Sequence, residues 1–98
     1  PIYNLFAFRT VNGNYLTAEG GGNRTVNAIA SNRTTLGPWE KFGYQKATGT
    51  NRYQLRTDRD LYKYYVTARN GGNQLSNALE TNRTSPSSWE TFTFVRVD

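Results

Sequence analysis

The sequence predicts an all-β chain: a single domain made of two tandem four-stranded repeats, residues 1–49 and 50–98. Three observations lead there. An offset of 50 aligns residues 14–46 with 64–96 at 14 identities in 33 ungapped pairs, and self-similarity at a fixed period marks a repeated structural unit. The chain has 13 Thr, 11 Asn, 9 Gly and 7 Tyr, a composition that favours strands and turns over long helices. No segment carries a 3.6-residue apolar period over eleven residues. At 98 residues the length allows one domain, with a modest core, because a domain this small buries only about two-thirds of its unfolded surface.

The elements follow in order. Leu5–Arg9 reads as a first strand, closed by Asn12-Gly13, a strong hairpin signal. Residues 14–19 form the second strand, and Gly20-Gly21-Gly22-Asn23 is a turn. Val26–Ala30 is the third, with Val26, Ala28 and Ala30 on one side. A loop through residues 32–38 leads to a fourth over residues 40–45. The second repeat gives Tyr53–Thr57, Tyr64–Arg69, Leu75–Glu80 and Glu90–Val97. Tyr15-Leu16-Thr17-Ala18 lies on Tyr65-Val66-Thr67-Ala68, Asn27-Ala28 on Asn77-Ala78, Asn32-Arg33-Thr34 on Asn82-Arg83-Thr84, and Trp39-Glu40-x-Phe42 on Trp89-Glu90-x-Phe92. Upstream the offset falls to 47, so the second copy has three extra residues in the loop Asp58–Lys63.

Composition removes several classes of function. With no Cys, the chain has no disulfide, thiolate nucleophile or zinc–thiolate site. With no His, it has no imidazole ligand or imidazole acid–base group. No apolar run approaches the roughly 20 residues of a membrane-spanning helix, and no membrane partner is expected. Pro1-Ile2-Tyr3-Asn4 reads as neither a signal nor a transit peptide, and a start without Met reads as a mature chain or an excised module. Nothing in the sequence calls for a cofactor or a metal.

The run Gly13-Asn14-Tyr15-Leu16-Thr17-Ala18-Glu19, the glycine-rich turn, Val26-Asn27-Ala28 and Trp39-Glu40-x-Phe42 resembles the fascin-like β-trefoil repeat, and the second copy keeps most of that pattern. The resemblance covers almost the whole chain. It implies lobes of four strands, two in a barrel and two in a capping hairpin. A trefoil closes its barrel with three lobes, whereas two are present here. Two lobes leave open strand edges, which invite pairing with another chain. Three arrangements stay open: a piece of a longer trefoil, a homodimer or lobe exchange that covers the edges, or a two-lobed barrel or sandwich closed on itself.

Candidate ligand-binding residues fall into four groups. Trp39 with Glu40, and Trp89 with Glu90, pair an indole face with a carboxylate, which suits stacking on a sugar ring and accepting from its hydroxyls. The same four residues serve equally as a lid and turn at strand entry. Tyr62 and Tyr64 flank Lys63; alternation places Tyr64 toward solvent, because it matches Asn14, and the two rings would make a stacking platform. Asp58 and Asp60 flank the same loop as acceptors or as plain turn residues. Arg33 and Arg83 sit inside Asn-x-Thr triplets, as rim contacts or as loop residues.

The seven carboxylates offer no opposed pair for glycoside hydrolysis, since Glu40 and Glu90 occupy equivalent positions in separate repeats. An enzyme is not expected. Twelve Lys and Arg against seven Asp and Glu give a net charge of +5, which admits a polyanion, but the arginines are scattered and nucleic acid is not the expected partner. Trefoil-type repeats recur as sugar-binding appendages of secreted glycoside hydrolases. The expectation is therefore a non-catalytic carbohydrate-binding module or lectin, secreted, with β-glucan or galactose-type sugars as ligands. The rival is a protein-interaction module of the actin-bundling fascin kind.

Overall fold

The structure, a computed structural model, describes residues 4–57 and 62–97. It is all-β. Eight strands run β1 Asn4–Phe6, β2 Tyr15–Ala18, β3 Ile29–Arg33, β4 Phe42–Lys46, β5 Arg52–Thr57, β6 Tyr65–Ala68, β7 Leu79–Arg83 and β8 Thr91–Thr93. The helical pieces among the described residues are four three-residue 3-10 turns, and no helix is long and apolar enough to cross a membrane.

The ladders repeat with the sequence. In the first half β1 pairs β4 and β2 pairs β3; in the second, β5 pairs β8 and β6 pairs β7, all antiparallel. The β2–β3 register sets Thr17 opposite Ala30 and Ala18 opposite Ile29; fifty residues on, Thr67 faces Glu80 and Ala68 faces Leu79, with the same irregularity one residue before. Each hairpin joins its outer strand through one bridge, Arg9 to Tyr15 and Arg56 to Tyr65. The halves are knitted by β4 against β5, from Phe42 opposite Thr57 to Lys46 opposite Tyr53. The sheets stay open: among the described residues β1 has only β4 as partner and β8 has only β5.

Several strand ends fall elsewhere than the sequence suggests, and the first strand stops at Phe6 rather than Arg9. The third strand of each half starts at Ile29 and Leu79, not at Val26 and Leu75. Asn27 and Asn77 both take φ near 50°, a left-handed conformation that Asn tolerates and that breaks an extended run. Val26 and Leu75 are left exposed in the loop before it. The last strand stops at Thr93, leaving Val95 and Val97 in solvent.

The core is small. Ala18, Phe42 and Val66 are buried together, with Phe8, Leu16, Ile29, Leu55, Leu79 and Phe92 partly buried against them. Eight of these nine positions form four repeat pairs, so both halves feed one core. The largest fully buried side chains are Thr17, Thr57, Thr67 and Thr81, and buried hydroxyls need partners. The Thr17 hydroxyl donates to Glu40 Oε2 at 2.8 Å, and the Thr81 hydroxyl accepts from the Arg24 amide at 3.2 Å. A polar ladder crosses the opposite face of the sheet: Arg56 donates to Gln45 (3.1 Å), Gln45 to Gln54 (2.6 Å) and Gln54 to Thr91 (3.1 Å).

The seam between the halves is one-sided. The turn after β2 lays itself along β7: the Asn23 amide donates to the Thr81 carbonyl at 2.8 Å, and the Thr81 amide donates to the Arg24 carbonyl at 2.9 Å. Gly22, at φ 121° and ψ −168°, fits here because a Cβ would sit 2.6 Å from Thr57 Oγ1 and 3.1 Å from Tyr64 Cδ2. This backbone region is essentially reserved for glycine.

Candidate functional site

The repeated Trp-Glu-x-Phe segment folds as a 3-10 turn leading into a strand, and its three side chains separate by role. Glu40 and Glu90 are 6% and 2% exposed. Glu40 Oε1 accepts from the Gly37 amide at 2.8 Å, while Oε2 takes the Thr17 hydroxyl. Glu90 Oε1 accepts from both the amide and the hydroxyl of Ser87, at 2.8 and 2.9 Å. Each carboxylate thus closes its own turn in the manner of a capping box. These two residues, expected to bind hydroxyls of a ligand, are buried and bonded inside the chain, Glu40 through both oxygens and Glu90 through Oε1. Phe42 and Phe92 enter the core.

The tryptophans remain at the surface. Trp39 is 42% exposed and Trp89 38%. Trp89 lies with its indole edge across the preceding glycine turn, where a Cβ on Gly71 would stand 3.1 Å from Nε1. The absence of a side chain there lets the indole edge approach the turn while the ring stays partly exposed.

In the first half, Trp39 borders a cleft of about 450 Å³ formed by the end of β3 and the 3-10 turn, with Asn32, Arg33, Thr34 and Thr35 on its other wall. Arg33 is fixed there by Glu19, with Nη2 at 2.8 Å from Oε1, and donates through Nη1 to Asn32 Oδ1 at 2.9 Å. Its side chain keeps about a third of its surface in solvent, and a guanidinium has five donors. The structure therefore brings Trp39 and Arg33 of the sequence candidates to one cleft, with Glu40 beneath it. Arg83 in the second half donates to Glu80 Oε1 at 3.0 Å and Asn82 Oδ1 at 2.9 Å.

Tyr64 is corrected. It is 8% exposed, not solvent-facing. Its ring packs on Gly22 in the seam, a contact that strand alternation within one repeat does not reveal. Lys63 places its ammonium 5.6 Å from the Tyr64 ring centroid. Tyr62 is half-buried at φ 60°, and its carbonyl accepts from Arg56 Nε at 2.7 Å. Arg56 also stacks over Tyr65 at 4.5 Å. A two-ring platform of Tyr62 and Tyr64 is therefore not presented to solvent. Asp58 and Asp60 lie outside the described residues.

Sequence reasoning missed Asn32, Thr34 and Thr35 as cleft wall. Their signal is available, since Asn-Arg-Thr recurs seven residues before each Trp-Glu, but such triplets fit loop hydrogen bonding equally well. No protein-family model and no curated protein matches the chain.

Proposed function

We propose that the chain binds carbohydrate without transforming it, at the cleft of the first half. The observation that carries this reading is the half-exposed Trp39 indole standing across a polar cleft from Asn32, Arg33, Thr34 and Thr35. A flat aromatic face beside fixed hydrogen-bonding groups matches the two surfaces of a pyranose, apolar C–H on one side and hydroxyls at the rim. The cleft volume of about 450 Å³ falls within the range of about 300–1,000 Å³ usual for small-molecule sites. The indole stacks; Arg33 and Asn32, held by their mutual bond, donate to hydroxyl oxygens; the threonine hydroxyls donate and accept. Glu40 contributes by fixing the turn that carries Trp39, not by touching the ligand.

The proposed reading involves no chemical step. Glu40 and Glu90 are each engaged in their own turn, so neither stands as an acid or base opposite the other. Fold and ligand are proposed together: the fascin-like trefoil lobe is the architecture that the repeated ladders suit, and β-glucan or a galactose-type sugar is the ligand class. Trp89 supplies a second aromatic face, and two weak sites on one polysaccharide bind with an effective concentration set by their tether.

Co-sedimentation with insoluble β-glucan, alongside a glycan array, tests the reading. Trp39→Ala should lower retention strongly and Trp39→Ala/Trp89→Ala should abolish it, with the far-ultraviolet circular dichroism of the wild type. A folded double variant retained as well as wild type refutes it.

A further inference from the structure

The two halves meet through a heterologous seam, in which one half's turn lies on the other half's strand, and each half of that seam exists a second time without its partner. The turn residues Asn23 and Arg24 bond Thr81 on β7. Their repeat equivalents are Asn73 and Gln74, and the equivalent of Thr81 is Ser31 on β3. No such bonds join Asn73 or Gln74 to a strand among the described residues, and Ser31 is exposed where Thr81 is fully buried.

Three adjoining hollows are lined largely by repeat-equivalent pairs. The apolar one, about 140 Å³, is walled by Leu16 with Val66, Ile29 with Leu79, and Phe8 with Leu55, together with Phe42. A second, about 300 Å³, shares Ile29 and Leu79 and is lined by Asn27 with Asn77 and Ala28 with Ala78; there the Asn27 amide donates to Asn77 Oδ1 at 3.0 Å. A third, about 250 Å³, is lined by Phe6 with Tyr53 and Tyr44 with Phe94. It adjoins the first through the Phe6–Phe8 ring contact at 6.4 Å. Phe6 and Phe94, on the two sides of this aromatic row, are 41% and 44% exposed. Beside them lie the unpaired edges of β1 and β8.

We propose that this face is the interface for a second copy of the chain. The Asn73–Gln74 turn of one copy lies on β3 of the other at Ser31, as the Asn23–Arg24 turn lies on β7 at Thr81. Seated this way, the partner's repeat lines hollows that two repeats already line, and its strands reach the free edges of β1 and β8. A heterologous contact leaves a free half at each end of the row; in the proposed dimer each copy supplies one turn and one landing strand. The landing strand continues from Ser31 into Asn32 and Arg33 on one wall of the sugar cleft, whereas the Trp39 wall takes no part in the proposed contact.

Sedimentation velocity of the full 98-residue chain over a dilution series tests it. The expected result is a species at twice 11.1 kDa, held at about micromolar concentration or below, as standard interfaces are. Hydrogen exchange should show the Ser31 and Gln74 amides protected in concentrated solution and unprotected on dilution. Ser31→Arg puts bulk on an exposed landing strand without touching the internal seam, and should weaken self-association about tenfold or more, a difference of roughly 1.4 kcal/mol, with the fold intact. A wild-type chain that stays monomeric well above micromolar concentration, with those two amides exchanging freely, overturns the proposal.

Discussion

Gly22 and Gly72 offer a controlled experiment that the duplication itself supplies. Both close the same 3-10 turn, at φ 121° and ψ −168° and at φ 115° and ψ −169°. An alanine in this region costs about 1–3 kcal/mol in backbone strain, and that cost is shared by the two positions. Their surroundings differ. A Cβ on Gly22 would stand 2.6 Å from Thr57 Oγ1 and 3.1 Å from Tyr64 Cδ2, whereas a Cβ on Gly72 meets nothing within 4 Å. Overpacking adds about 1–3 kcal/mol, at Gly22 alone. Gly72→Ala should therefore lower stability by the strain cost, and Gly22→Ala by about 1–3 kcal/mol more. For a domain of this size each kcal/mol shifts Tm by about 4–8 °C, so the two variants separate clearly in thermal and urea unfolding. The assay belongs at a dilution where the chain is monomeric, because in the proposed dimer the Gly72 turn also meets a neighbour. Equal losses in the monomer would refute the seam, and with it the template from which the second-copy interface is drawn.

Two further expectations use the same logic of paired positions. Thr17→Val removes the hydroxyl that donates to Glu40 Oε2 and leaves a buried carboxylate oxygen unpaired, a loss of about 1–3 kcal/mol. The Thr67 hydroxyl, its equivalent, is buried without a partner, so Thr67→Val should be neutral or stabilising in the same urea titration. Polysaccharide retention should change little between low and moderate salt, because an indole face and neutral hydroxyls carry it; a steep decline with salt in the co-sedimentation assay would instead point to phosphate- or sulfate-bearing polymers and counterion release.

The fold class was legible in the sequence because the duplication tests itself: a turn signal seen twice, fifty residues apart, is hard to misread. Strand order, the Asn12-Gly13 turn and the glycine-rich turns all stand where the pattern places them. What was not legible had two physical sources. Asn27 and Asn77 adopt left-handed backbone in the middle of residues that alternate like a strand, and an Asn gives no composition signal that distinguishes this from an extended conformation. Tyr64 is buried by the other half of the molecule, and a rule that reads one repeat at a time has no access to that neighbour. The candidate site was half legible: an exposed Trp beside a basic rim follows from the residues, whereas the inward turn of Glu40 and Glu90 is set by hydrogen bonds to groups three and 23 positions away.

The arginine at the end of each third strand shows why pairing energy alone does not explain what the repeats share. Arg33 is held by Glu19 from the glycine turn, at 2.8 Å. In the second half that turn position is Arg69, which would repel Arg83, and the carboxylate has moved to Glu80, where the first half has Ala30. Arg83 reaches Glu80 at 3.0 Å, three residues back on its own strand. The chain has kept an anchored arginine by two different routes. The partly exposed Arg33–Glu19 pair contributes roughly 0–1 kcal/mol, whereas Glu80 is buried, so Arg83 also satisfies a carboxylate that needs a partner. Both arginines also bond the neighbouring Asn side chain, Asn32 or Asn82, at 2.9 Å. What the two arrangements have in common is a guanidinium held in place beside an amide, with N–H groups left to donate. In the first half that held pair lines the cleft beside Trp39, so there the guanidinium is positioned as well as paired.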